Sequence, residues 1–138
     1  MFLLLMAQVI LSTEGFLGIA EELELAGLVW KPEVGDEICY RQKKETISVL
    51  VDPQGLSPSE LRATYLWLPT VEQMVWQFEA RSAILEHTGL ELTQKNFCYK
   101  TVIKSSFGEI ESKAASLRSS VGLALRSLLI SCSPRVVN

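Results

Sequence analysis

Apolar residues along this chain recur with two periods, near 3.6 and near 2, and the switches between them mark its elements. The pattern is plainest in the carboxy-terminal third. Leu117, Val121, Ala124, Leu125 and Leu128 share one face of a helix, and Leu123 and Leu129 widen the stripe. Arg118, Arg126 and the serines at 119, 120 and 127 fill much of the other side. Ser116 is the expected N-cap, because its hydroxyl can accept from a first-turn amide. Ser112 marks an alternative start, and Pro134 the expected stop. Ahead of the helix, Phe97, Tyr99, Thr101 and Ile103 alternate with Cys98, Lys100, Val102 and Lys104, which predicts a strand. Phe107 to Ile110 gives a weaker second strand, with the turn at Ser105-Ser106 and Gly108.

The upstream pattern supplies surfaces for this hairpin and helix to pack against. Thr13 or Ser12 can cap a helix that starts at Glu14, turns Phe16, Ile19, Ala20, Leu23 and Ala26 inward, and stops at Gly27. Residues 1–11, MFLLLMAQVIL, either extend this helix backwards or form a piece of their own; burial in the core or in a dimer contact is expected of them. Asp36 to Arg41 is a short strand with Ile38 and Tyr40 on one face, Gln42 to Glu45 a turn, and Thr46 to Val51 a second strand. Asp52 to Gly55 is a proline-glycine turn. Ser57 and Glu60 form a capping box with Pro58 at the first helical position, giving a short helix to about Thr64. Tyr65 to Leu68 is extended ahead of Pro69. Thr70 and Gln73 form a second capping box, opening a helix that buries Val71, Met74, Val75, Phe78 and Leu85. His87 falls in the last turn of that helix and Gly89 just beyond it; Leu90 to Thr93 begins a strand. The resulting order is α-β-β-(short α)-α-(β)-β-β-α. Two hairpins without alternating βαβ units predict an α+β fold, an antiparallel sheet with helices packed on one face, in a single domain over residues 1–138.

Composition changes this picture little, but charge adds to it. Hydrophobic residues make up 48% of the 138 and charged residues 21%, an ordinary globular balance. The net charge of −3 is uneven: six cations face fourteen acids over residues 1–93, a balance of −8. Seven cations face two acids over residues 94–138, a balance of +5. Mutual neutralisation inside the fold is the expected use of that asymmetry. Residues 1–11 are too few to span a bilayer, which needs about 20, and lack the basic flank of a secretory signal, so no membrane partner is expected. Cys39, Cys98 and Cys132 are odd in number and widely spaced, which suits free thiols in a reducing cytoplasm rather than a zinc or disulfide framework.

Candidate chemistry is sparse. Phosphate-binding glycine loops, nucleophile elbows and H-E-x-x-H metal motifs do not occur in the sequence. His87 is expected to serve the helix dipole, and Asp36 and Glu37, as neighbours on a strand, point to opposite faces. No catalytic residue, cofactor or metal is therefore expected, and the chain is read as a non-enzyme. Trp30, Trp67 and Trp76 are expected as core fillers, with an aromatic-lined small-molecule pocket as the alternative. The apolar density of Tyr65, Leu66, Trp67 and Leu68 points to an interface, through which a protein partner or a second copy could extend a sheet edge.

Helix, three strands and helix over residues 70–131 resemble the double-stranded-RNA-binding domain, and Gly108, Ser112, Lys113, Ala124 and Leu125 echo its last hairpin and helix. That resemblance covers about half the chain and implies a nucleic-acid partner, with Lys100, Lys104, Lys113 and Arg118 as the contacts. The family places a lysine cluster at the start of its last helix to straddle phosphates. Here Lys113 to Arg118 offers one lysine and one arginine.

Overall fold

The computed structural model describes residues 15–92, 94 and 96–133. The apolar stretch 1–11, the caps expected at Ser12 or Thr13, and Pro134 lie outside the described residues. Helix α1 is described over residues 15–25 and ends as predicted at Gly27, whose φ of 107° suits glycine. The amides of Gly27 and Leu28 reach back to the carbonyls of Glu24 and Leu23, a Schellman cap. Strands β1 (Glu37–Tyr40) and β2 (Lys43–Val49) form the first hairpin, and α2 (Pro58–Thr64) and β3 (Tyr65–Trp67) follow. Helix α3 (Val71–Ala80) leads to β4 (Ile84–Leu92), β5 (Phe97–Ser105), β6 (Gly108–Ala114) and α4 (Leu117–Cys132). Both capping boxes are present, at Ser57/Glu60 and at Thr70/Gln73, and Ser116 accepts from the amide of Ser119.

The fold is α+β with two antiparallel three-stranded sheets, ordered β2-β1-β3 and β4-β5-β6. Alternation along β1 and β3 places the first sheet between two cores. Cys39, Leu66 and Leu68 enter the main core with Phe16, Leu23, Met74, Phe78, Ile103 and Leu125. Ile38 enters a smaller one with Trp30, Leu50 and Leu61. Helix α4 covers one face of the second sheet and buries Val121, Ala124, Leu125 and Leu128, as its periodicity predicts. Between them runs a ladder of hydroxyls: Thr88 and Thr101 at 2.9 Å, Thr101 and Ser120 at 2.8 Å, and the Ser112 hydroxyl donating to the Ser120 carbonyl at 2.6 Å. Thr101 and Ser120 are fully buried, and this pairing satisfies them there.

Strand β2 starts at Lys43, inside the turn expected at Gln42 to Glu45, and ends at Val49 short of Val51; the larger departure from the sequence pattern is in α3. The helix expected to run through Leu85 to His87 stops at Ala80, Ser82 takes a positive φ of 57°, and residues 84–92 are strand. Beyond Phe78, the positions that should continue the apolar stripe are Arg81 and Ser82. A nine-residue strand there pairs with β5 from Phe97 to Lys104, a gain that local periodicity does not register. His87 therefore has no helix dipole to serve. The order α3-β4-β5-β6-α4 keeps the helix–three strands–helix arrangement that the resemblance implies.

Charge asymmetry is resolved inside the fold. Lys100 and Lys113 pair with Glu91, Lys104 with Glu86, Arg118 with Glu37 and Arg126 with Glu22, each joining the basic third of the chain to the acidic remainder. Among the described residues, no helix is long and apolar enough to cross a membrane.

Candidate functional site

The second sheet is longer than the helix that covers it. Strand β6 stops pairing at Ala114, opposite Tyr99, while β4 and β5 continue together to Leu92 and Phe97. Helix α4 begins at Leu117, so the last residues of β4 and β5 project past its first turn. Thr88 bonds to Thr101 and Thr101 to Ser120 of α4, which identifies the helix-facing side of the sheet. Period-2 alternation puts Leu90, Leu92, Phe97 and Tyr99 on that same side. Leu90 is 56% exposed, Leu92 73% and Phe97 66%. Three large apolar side chains thus face outward together where scattered single ones would be unremarkable.

Leu90 and Phe97 border a groove of about 880 Å³, lined also by Gly15, Val71, Tyr99 and Leu117. One wall is the start of α4, the floor is the β4–β5 ribbon, and Gly15 brings in the first described turn of α1. Its lining is mostly apolar, with Ser116, Arg118 and Ser119 at the α4 side.

The opposite face of the second sheet is polar and internally paired. Lys100 lies 3.4 Å from Glu111 and 3.8 Å from Glu91, Lys104 2.9 Å from Glu86, and Lys113 3.7 Å from Glu91. The hydrogen bond and charge of Glu111 hold the Lys100 ammonium above the usual lysine range, and Glu86 does the same for Lys104. Arg118 is only 18% exposed on its side chain and points inward. Its guanidinium donates to the Pro69 carbonyl at 2.9 Å, to Leu68 at 2.6 Å and to Glu37 at 3.1 Å. It also stacks 4.4 Å over the Phe16 ring. Each of the four cations singled out for nucleic acid therefore already lies against a carboxylate.

The interface stretch divides between inside and outside. Strand β3 is an edge strand, as the interface reading requires, but Leu66 and Leu68 are buried and only Tyr65 and Trp67 keep some exposure. Cys98 and His87 share the polar face of the second sheet. They stand opposite Glu91 and Val102 respectively, four residues apart along the ribbon, or about 13 Å at strand spacing. Burial pushes the Cys39 thiol above its ordinary range, with Glu21 adding to the effect, so Cys39 holds its proton in the core. Among the described residues, no group of three or more His, Cys, Asp or Glu could hold a metal ion.

The tryptophans separate too. Trp30 is a core residue whose indole donates to Asp36 at 2.8 Å, while Trp76 is 55% exposed and fills no core. Asp36, itself buried, also accepts from the Glu33 amide at 3.0 Å and the Gln73 side chain at 2.8 Å. This carboxylate forms part of the floor of an open pocket bordered by Trp67, Trp76, Gln77, Lys31 and Arg81. The Trp67 indole nitrogen is buried there without a hydrogen-bond partner. Comparison of the chain with protein-family models, with curated proteins and with solved structures finds no match.

Proposed function

We propose that this chain acts by binding and assembly, docking a protein partner or a second copy of itself into the groove at the open end of the second sheet. The observation that carries this reading is the shared outward face of Leu90, Leu92 and Phe97, which a monomeric fold leaves wet at a cost of about 25 cal/mol per Å² of apolar surface. Covering it favours association without any new polar chemistry. Free thiols at Cys39, Cys98 and Cys132 support a reducing, cytoplasmic setting. Nucleic-acid binding is favoured less, because releasing the paired lysines to phosphates would forfeit their contacts with Glu86, Glu91 and Glu111. Light scattering across micromolar to submillimolar concentration tests the main reading. The mass of the wild-type chain is expected to rise above that of one chain, and Leu92→Lys with Phe97→Ser to return it to one. A single-chain mass for both proteins would remove self-assembly.

A second reading has its own observation, the unpartnered Trp67 indole nitrogen in the pocket that the half-exposed Trp76 also lines. Lys31, Arg81 and the Gln77 amide border that pocket together with the Glu33 and Asp36 carboxylates. It suits a small flat molecule that can lie against Trp76 and carries both donor and acceptor groups. A thermal-shift screen of metabolites is expected to find such compounds raising the melting temperature, with the shift lost in Trp76→Ala. Equal shifts in the two proteins would place the binding elsewhere.

A further inference from the structure

We propose that the hollow between the end of α1 and the last turn of α2 binds the phosphate group of a small organic phosphate monoester, clamped by the guanidiniums of Arg41 and Arg62. The site lies apart from the groove on the second sheet and does not depend on it. Three stretches distant in sequence meet there: residues 24–30 at the close of α1, Arg41 just after β1, and Arg62 near the end of α2. Together they border a hollow of about 380 Å³, a size usual for small-molecule sites.

Both arginines are held by backbone. Arg41 Nε donates to the Arg62 carbonyl at 2.9 Å, and Arg62 Nη1 donates to the Trp30 carbonyl at 3.0 Å. Each bond fixes a guanidinium in advance, so little side-chain freedom is left to lose on binding. These anchors use a minority of each guanidinium's N–H donors and leave the rest for a ligand. Carboxylates are scarce by comparison. Among the lining residues only Glu24 carries one, and it accepts from Arg41 Nη2 at 2.7 Å while itself 48% exposed. Arg62 forms no ion pair among the described residues, whereas Arg118, Arg126 and the lysines of the second sheet all do.

Two fixed cations against one carboxylate leave a local excess of positive charge in a chain whose overall balance is −3. A phosphate monoester matches that excess better than a carboxylate does. Its terminal oxygens can accept from both guanidiniums at once. Its second negative charge compensates the second arginine once Glu24 yields Arg41. The ester oxygen leads on to an organic group, and the hollow offers apolar surface for one. Leu28 and Trp30 are buried in its wall, and Val29, which also lines it, is 61% exposed.

Calorimetric titration of the full chain tests this, with n-butyl phosphate, inorganic phosphate and butyrate as probes. Butyl phosphate is expected to bind at a single site, about fivefold more tightly than either of the others, since only it combines both charges with an apolar tail. Arg62→Gln is expected to weaken it by at least about tenfold. Glu24→Gln keeps the shape and removes the competing charge, and is expected to tighten it about threefold. Should Arg62→Gln fail to fold by circular dichroism, the Glu24 variant alone decides. No binding of butyl phosphate at about 10 mM would overturn the proposal, as would an affinity unchanged in a folded variant. Butyrate bound as tightly as butyl phosphate would overturn the choice of phosphate, and inorganic phosphate bound as tightly would overturn the place given to the organic group.

Discussion

Arg118→Met is expected to lower the free energy of unfolding by about 3 kcal/mol, read from urea denaturation, because its guanidinium satisfies three oxygens and a ring from three other elements at once. One side chain holds the carbonyls at the β3–α3 junction, the Glu37 carboxylate on β1 and the ring of Phe16 on α1, all from the first turn of α4. Methionine keeps most of the stem's packing but leaves two carbonyls and a carboxylate without this donor. Charge-assisted bonds of this kind contribute about 1.5–3 kcal/mol each where shielded, and the residual exposure of Arg118 lowers their sum. Arg118→Lys is expected to recover less than half of the loss, since a single ammonium cannot reproduce a planar array directed at three oxygens. A loss below about 1 kcal/mol in the methionine variant would mean that water already screens these contacts.

The same residue shows where the sequence could be read and where it could not. Arg118 reads as a solvent-facing cation, or by resemblance as a phosphate contact, because charge is expected outside. Its position held a contrary signal: residues 118, 121, 122, 125 and 129 fall on one helical face, and that face is the buried one. Local chemistry was otherwise a dependable guide. The capping hydroxyls at Ser57, Thr70 and Ser116, the stop at Gly27 and the buried stripe of α4 depend on residues within a turn or two of one another, and all occur where the pattern puts them. Residues 81–92 depend on β5, which is distant in sequence, and there the helical pattern misleads.

Legibility of the groove suffered through that same stretch. With Leu85 assigned to a helix and the strand begun only at Leu90, Leu90 and Leu92 could not be placed on the face of Phe97. Alternation alone would have aligned them, but not shown them uncovered. Their exposure depends on how far β4 and β5 outrun α4, a relation between element lengths in three dimensions. At Tyr65 to Leu68 the apolar density marks a strand between two cores, with Leu66 and Leu68 spent on packing and Tyr65 and Trp67 left partly exposed on an edge strand. Apolar density reports burial; whether the fold or a partner supplies it depends on what lies above.

Gly122→Leu is expected to cost about 3 kcal/mol, because three helices meet where this glycine has no side chain. A Cβ built on Gly122 would lie 2.8 Å from Ile19 Cγ2 and 3.0 Å from Phe16 Cε2, with Met74 Sδ at 3.7 Å. Glycine within a helix costs about 1 kcal/mol relative to alanine, so close approach of α1 is the gain set against that cost. Gly122→Ala trades the propensity gain against overpacking and is expected to lose only about 1 kcal/mol. Leucine adds three more carbons in the same direction and must displace α1, taking Phe16 from beneath Arg118. Its partner substitution supplies the diagnostic. Ile19→Ala opens the space that leucine needs, so the double variant is expected to be about 1–2 kcal/mol more stable than the two single losses predict when added. Strict additivity would place the strain away from the contact between Gly122 and Ile19.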